Sequence, residues 1–494
     1  MMNTSERQDS PARPLPVDEI LPIGQMVLYG LQHVLVMYAG AVAVPLVVGS
    51  AIGLTDEQIV VLIGCDLMVC GLATLMQTLG VGRWMGCRLP VVQGCTFVAM
   101  IPLVLIGKEY GMGGISGSVM VAGAFTLLFA PWISKLVRFF PRVVMGSIVT
   151  LIGLSIMPVA GGWIGGGNAA MVGFGSPLAL SLAAVTLVII LNIYTFGSGL
   201  IKNIAVLIGL IIGSTLWYFV DTLDLGRLAA TPWINIPLPL QFAVPEFHLV
   251  PALLMSMVMI VVMVETMSSM MATGELVGRQ ADGETLRKGL TGCGFATLCG
   301  SLFNLFPYAA FAQNVGLISL TGVRSRFVVA VSGLILILMG LFAKMAALVV
   351  IVPKPVLGGA GIVMFGMVAV AGIRTLGQVN YRNNNNGMVV ALTLGVGLMP
   401  VLVPGLFSQM PELAKMFLHS GITLGTCVAI FANVVLNGKG GQAKKANCDT
   451  CQPEELTAAG PESTAARRVA VKTVRVWLLL RRAREQQQRE REQQ

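Results

Sequence analysis

The sequence predicts an all-α polytopic membrane protein of about fourteen transmembrane segments, set out as two inverted halves of seven, with segments 3 and 10 each broken by a short extended strand. Three observations predict it. Of 494 residues, 55% are hydrophobic and only 11% charged, and the mean hydropathy of +0.81 lies well outside the range of soluble domains. Apolar stretches long enough to cross roughly 30 Å of hydrocarbon as helices recur along the whole chain. Two of them open on a proline and a run of extended-type residues, and they stand seven spans apart.

Residues 1–22 are the cytoplasmic N-terminal segment, polar and flexible to about residue 20. Glu6, Asp9, Asp18 and Glu19 accompany only Arg7 and Arg13 there, and no short apolar region with a cleavage site follows, so this is not a signal peptide. The spans fall at approximately 26–49, 57–80, 90–106, 116–134, 143–160, 178–195, 203–220, 250–273, 289–304, 308–322, 327–352, 355–373, 387–404 and 414–436. An even count leaves both termini on one side. Loops after even-numbered spans hold Arg83, Arg88, Lys135, Arg138, Arg142, Lys202, Arg279, Arg287, Lys288, Arg324, Arg326, Arg374 and Arg382. Only Lys108, Arg227, Lys344, Lys354 and Lys415 fall near the other side. Both termini are therefore expected in the cytoplasm, and the net charge of +9 is a topology signal that implies no nucleic-acid partner.

Most of the nine cysteines lie in apolar spans (Cys65, Cys70, Cys95, Cys293, Cys299, Cys427), so no disulfide framework is expected. Cys448 and Cys451 form a lone C-x-x-C without a second pair or a nearby His, and no metal or cofactor is expected. The loop at 222–249 carries Pro232, Pro237, Pro239 and Pro245 and suits an extended cover, and Gly161 to Gly167 reads as a turn region. No Walker A, H-E-x-x-H or G-x-S-x-G pattern occurs, so the chain is expected not to be an enzyme and to depend on a gradient. The tail at 437–494 contains a basic segment, Ala466 to Arg491, that suits either an anionic lipid surface or solvent.

Span 3 begins Pro90-Val91-Val92-Gln93-Gly94-Cys95-Thr96-Phe97 and span 10 begins Pro307-Tyr308-Ala309-Ala310-Phe311-Ala312. Non-helical backbone at membrane depth must pair with protein or line a cavity, so the two pieces are expected to pair with each other near the midplane. An odd offset makes the second enter from the opposite face, the inverted-repeat plan of secondary transporters. Glu265 lies mid-span in Val264-Glu265-Thr266, where an acid costs about 2.5–3.5 kcal/mol on translocon scales and should face a cavity and a partner. Gln313 and Asn314 put two adjacent amides in the second half-helix. A Gln offers a donor beside an acceptor, which matches a planar molecule presenting the complementary pair, as a nucleobase does.

The run Gln313-Asn314-Val315-Gly316-Leu317-Ile318-Ser319-Leu320-Thr321-Gly322 resembles the signature of the nucleobase-ascorbate transporter family, and the resemblance extends over Gly30 to Pro45, Val356 to Gly366 and Lys472 to Trp477. It is nearest to the bacterial urate and xanthine permeases. The resemblance implies a core domain from spans 1–4 and 8–11 (23–134 and 250–352), a gate domain from the rest (135–221 and 353–436), and homodimers joined through the gates. It also implies that Glu265 and Gln313 bind substrate, Glu265 taking two adjacent ring N–H groups. Ala312 contributes a backbone N–H by the same analogy. Phe97, after Thr96, stands where the family has an aromatic that stacks on the base, although membrane phenylalanines also simply pack. Asn314 is expected to support the site, a role compatible with capping the half-helix. His33 matches a family histidine with an organising role or a direct contact. Asp66 is a candidate for proton handling that could equally pair with a polar neighbour.

One departure stands out. The family usually has an Asp in span 9, and here Thr291-Gly292-Cys293-Gly294 puts Cys293 in that place, where a thiol supplies no permanent charge. The sequence therefore points to an inner-membrane permease that imports a purine, urate or xanthine, with a proton, and with Glu265 as the pivot of coupling. A uracil or other pyrimidine carrier, or an anion transporter of the same fold, is the alternative. A membrane enzyme or a channel fits less well, for want of a nucleophile, a metal site or a continuous polar stripe.

Overall fold

Thr55 begins the clearest helix start in the chain. Its hydroxyl accepts from the Gln58 N–H while the Gln58 side chain accepts from the Thr55 N–H, and Asp56 and Glu57 occupy the first turn. The computed structural model describes residues 15–136, 140–167, 173–220, 225–382 and 384–438. Helices α1 (Ile23–Ala51) and α2 (Asp56–Leu79) lead to strand β1 (Gln93–Cys95), one 3₁₀ turn and α3 (Met100–Leu136). Next come α4 (Arg142–Ser155), α5 (Met157–Ile164), α6 (Pro177–Phe196), α7 (Gly199–Asn203), α8 (Ala205–Tyr218) and α9 (Leu225–Ala230). The second half brings α10 (Leu249–Val277), α11 (Gly283–Leu302), strand β2 (Tyr308–Ala310), α12 (Ala312–Thr321), α13 (Arg326–Leu341) and α14 (Ala343–Val350). It ends with α15 (Lys354–Leu376), α16 (Asn384–Leu402), α17 (Glu412–His419) and α18 (Gly421–Asn437).

Each expected span coincides with one or two of these helices. Among the described residues, eight helical segments are long and apolar enough to cross a membrane, or nine when the pair α13 and α14, bent by 77°, is taken as one. Gly111, with φ at 65° and ψ at −166°, is not helical and divides α3 into two helices between spans 3 and 4. Two boundaries differ from expectation. Span 5 is divided into α4 and α5 at Ile156, next to Pro158. The N-terminal stretch expected to be flexible to about residue 20 is pinned from Asp18 onward: Arg326 at the start of α13 holds Asp18 at 2.6 Å and the Thr78 carbonyl at 2.9 Å, and Val17 is fully buried. The expected basic helix at 466–491 and the C-x-x-C at Cys448 and Cys451 lie outside the described residues.

The two broken segments do pair. β1 and β2 form an antiparallel two-stranded sheet with Gln93 opposite Ala310, Gly94 opposite Ala309 and Cys95 opposite Tyr308. So short a sheet has edges on both sides, and polar side chains from the helices satisfy them. The Thr74 hydroxyl of α2 accepts from the Gln93 N–H, Thr297 of α11 from the Tyr308 N–H, and Thr266 of α10 from the Ala310 N–H, while the Cys293 thiol donates to the Tyr308 carbonyl. Backbone at this depth meets no water, so these side chains are what make an extended segment tolerable.

The helices sort into two packing groups. One holds α1, α2, α3 and α10 to α14 with the sheet, and the other holds α4 to α6, α8, α15, α16 and α18. Inside the first, α2 and α13 approach backbone to backbone at paired glycines. A Cβ on Gly71 would collide with the Gly333 carbonyl and come within 2.8 Å of the Ile337 nitrogen, and one on Gly340 would meet the Gly64 carbonyl and the Met68 nitrogen at 2.6 Å. Small residues at such crossings are a common device of membrane helix packing. Within the loop expected at 222–249, α9 is a short helix and 231–248 contains none; Asn304 donates to the Ala243 carbonyl and accepts from the Phe242 N–H.

Candidate functional site

Strand alternation decides which side chains of β1 face which way. Thr96 and Gly94 turn to one face, Gln93 and Cys95 to the other. On the first face the Thr96 hydroxyl donates to the Glu265 carboxylate at 3.4 Å, which brings span 3 against the middle of α10. Glu265 is half-buried, and this is its one hydrogen bond from a described residue. An ionised carboxylate has roughly four acceptor positions, so most of its capacity remains for a ligand.

Across the sheet, Ala312 opens α12 and is exposed, and Gln313 beside it is half-buried with no hydrogen bond to another described residue. Phe311 precedes the helix with no side-chain cap at its start, so the capping role considered for Asn314 is corrected. Asn314 is buried and donates through Nδ2 to the His33 carbonyl at 3.0 Å and to the His33 ring at Nδ1, 3.1 Å away. A carbonyl only accepts, so the amide nitrogen must face His33 and Nδ1 must be the unprotonated ring nitrogen. His33 thus anchors the half-helix to α1, and its hydrogen-bond partner among the described residues is Asn314 and not Glu265. The organising role fits it.

Phe97 is buried among aromatic rings that the sequence reading missed. Its centroid lies 6.3 Å from Phe311 and 5.9 Å from Phe365, the latter edge-on at 76°. Phe365 belongs to α15 and continues to Trp163 at 6.2 Å, so the rings cross from one packing group to the other. Phe311 sits between two glycines: a Cβ on Gly94 would collide with its ring, and one on Gly40 would lie 3.0 Å from it. Gly94 inside a strand was the available signal, since a strand glycine often marks a close approach. Gly94→Ala is expected to leave the protein folded but to shift the ring and raise KM for substrate about tenfold, near 1.4 kcal/mol; an unchanged KM in transport assays would contradict this reading of the glycine.

One predicted residue lies on the opposite face of the sheet and another at its edge. Asp66 of α2 is fully buried and receives the Cys95 thiol at 2.7 Å and the Tyr308 hydroxyl at 2.9 Å, so its hydrogen-bond partners among the described residues do not include Glu265. Cys293 is engaged with the Tyr308 carbonyl at 2.7 Å and acts there as an edge clamp for β2. A cavity of about 340 Å³, lined by Gly165, Ser176, Trp217 and Lys354 among others, lies elsewhere, and none of the candidate residues line it.

A family model described as a permease family matches residues 24–406. The chain belongs to that family, the nucleobase-ascorbate transporters. It is 43% identical to the uric acid transporter UacT of Escherichia coli (strain K12) over 481 residues, 97% of this chain and 96% of that one. It is 41% identical to the xanthine permease of Bacillus subtilis (strain 168) over 435 residues, 88% of this chain and 99% of that one. Among solved structures, the transmembrane domain of the cyanobacterial bicarbonate transporter BicA matches with a TM-score of 0.56 at 15% identity, covering 84% of this chain and 99% of that domain. Murine Slc26a9 in its inward-facing state gives 0.56 at 14% identity, with 88% and 74% covered. These two likenesses concern the fold of core and gate alone. A multi-pass permease of this family is a transporter and not an enzyme.

Proposed function

We propose that the chain is a secondary active transporter of the cell's inner membrane that imports a purine nucleobase, urate or xanthine, together with a proton. The observation that carries this reading is the unspent hydrogen-bonding capacity at the sheet: a half-buried Glu265 with one hydroxyl partner, on α10, which packs against the half-helix α12 that carries Gln313. Glu265 takes two adjacent ring N–H groups, and Gln313 donates to a ring carbonyl while accepting from a ring N–H. The backbone N–H of Ala312, at the free start of α12, is a second donor. Phe97 stacks on the base, with Thr96 orienting Glu265 and Asn314 and His33 holding α12 in place.

The first packing group serves as the core that carries substrate and the second as the gate, with boundaries as expected from the spans. The Phe97–Phe365 edge contact then closes the seam between them, and a stacking base has to displace it. Both termini lie in the cytoplasm. Exposed apolar side chains on α6 and α8, including Val188, Leu191, Ile211 and Leu216, suit lipid or a second copy of the chain, so a homodimer through the gates follows.

The test is uptake of labelled urate, xanthine and uracil into cells that lack their own carriers, with and without a protonophore. Purine uptake that a protonophore suppresses is expected. Preference for uracil would overturn the substrate reading, and purine uptake indifferent to the protonophore would overturn the coupling.

A further inference from the structure

The face of the sheet turned away from Glu265 carries a second polar compartment. Asp66, Cys70 and Thr74 follow one another at four-residue spacing on α2 and so line one face of it, against which β1 lies. Oδ1 of Asp66 accepts from Cys95, from Tyr308 and, at 3.7 Å, from Cys70. Oδ2 of the same carboxyl is buried with no partner. Gln93, fully buried, leaves both polar atoms of its amide unpartnered, although its backbone N–H is held by Thr74 at 3.0 Å. Gln93 and Cys95 leave β1 on the same face, so this amide shares the compartment with Asp66.

We propose that Asp66 holds the co-transported proton on Oδ2, with the Gln93 amide as its switchable partner, leaving Glu265 to the substrate. The inference rests on the transport reading above and deepens it. An O–H bond forms at Oδ2 with a proton taken from outside water and breaks when that proton is released to the cytoplasm. Gln93 serves both states, because its carbonyl accepts from the protonated oxygen and its NH₂, after rotation of the amide, donates to the ionised one. Oδ1 keeps its donors throughout, so one oxygen clamps both strands while the other titrates.

Among the described residues no charged side chain hydrogen-bonds to Asp66. The titratable groups facing it are the thiols of Cys65 and Cys70 on its own helix, the Cys95 thiol of β1 and the Tyr308 phenol of β2. Cys293 of α11 is committed to the Tyr308 carbonyl, and Arg287 and Lys288 stand at the first turns of that helix, Lys288 paired with Glu284. Arg326 of α13 is held by Asp18, Lys344 of α14 by the Leu228 carbonyl, Tyr38 of α1 by the Met345 carbonyl, and His33 by Asn314. The link to substrate is covalent: Cys95, which reaches Asp66, is followed by Thr96, which reaches Glu265.

Purified protein in liposomes tests this. An inward gradient of about one pH unit supports about tenfold accumulation for one proton per substrate. The parent is expected to reach that ratio with labelled urate or xanthine, and Asp66→Asn to fall to equilibration while counterflow exchange stays within about threefold of the parent. Gln93→Leu, which leaves Asp66 in place, is expected to lower accumulation several-fold with exchange retained, and covers the case in which Asp66→Asn does not fold. Protonophore-sensitive accumulation undiminished in either variant would overturn the proposal, as would loss of exchange and accumulation together in a folded Asp66→Asn protein. A parent that neither binds nor exchanges purines would overturn the transport reading and this proposal with it.

Discussion

Replacing Glu265 by Gln is expected to weaken purine binding severely, and transport with it. The carboxylate is the acceptor-only group of the site, and Gln keeps its length while giving up one acceptor oxygen for an NH₂ that points a donor at a donor. Hydrogen bonds to a charged acceptor contribute about 1.5–3 kcal/mol each, so the loss of two weakens binding by about a hundredfold or more. The Thr96 hydroxyl, 3.4 Å from the carboxylate, still has an oxygen to donate to, so folding is retained. Equilibrium binding of labelled urate or xanthine to the purified protein reads the effect directly. A Glu265→Gln protein that binds within a few-fold of the parent would remove the carboxylate from the site, and with it the substrate pose.

The second large effect is on assembly. Gly71→Val is expected to prevent the first packing group from closing, because the new side chain meets backbone on α13, the Gly333 carbonyl and the Ile337 nitrogen, and no rotamer change can clear it. Overpacking in well-packed cores costs about 1–3 kcal/mol and occasionally more, and a backbone-to-backbone crossing has the least room to relax. Detergent-solubilised Gly71→Val should elute as aggregate or melt far below the parent in a fluorescence-detected thermal assay. Gly395→Ala is the control: nothing lies within 4 Å of a Cβ there, in the exposed face of α16, and the substitution should be neutral or slightly stabilising. Equal behaviour of the two proteins would show that the glycine pairing of α2 and α13 contributes little.

Much of this architecture could be read from residue order because water and lipid act on it locally. Long apolar runs must become helices, and Pro90 and Pro307 followed by extended-type residues cannot. Their separation by seven spans is enough to predict that one enters from the opposite face to the other, and antiparallel pairing of Gln93 to Cys95 with Tyr308 to Ala310 follows. Glu265 and Gln313 stand out for a similar reason: a carboxyl and an amide in apolar surroundings are costly wherever the chain places them. Three-dimensional contact alone decided the rest. Asn314 reads in the sequence as a support of the site that can also cap the half-helix, and only the fold shows His33, 281 residues away, beside it. Phe365 carries no mark in an apolar helix, yet its ring meets Phe97 from the other packing group.

The sequence by itself determined that this is a many-spanning helical transporter with two interrupted segments and a polar pair between them, since hydrophobic length, proline position and isolated polar residues are properties of short stretches. Which side of the two-stranded sheet each polar group serves was decided only by the tertiary structure. Cys95 and Thr96 are neighbours in the chain and face opposite ways, one to Asp66 and one to Glu265. The reason is geometric: strand alternation assigns the faces, and only the helices packed against each face supply the partners.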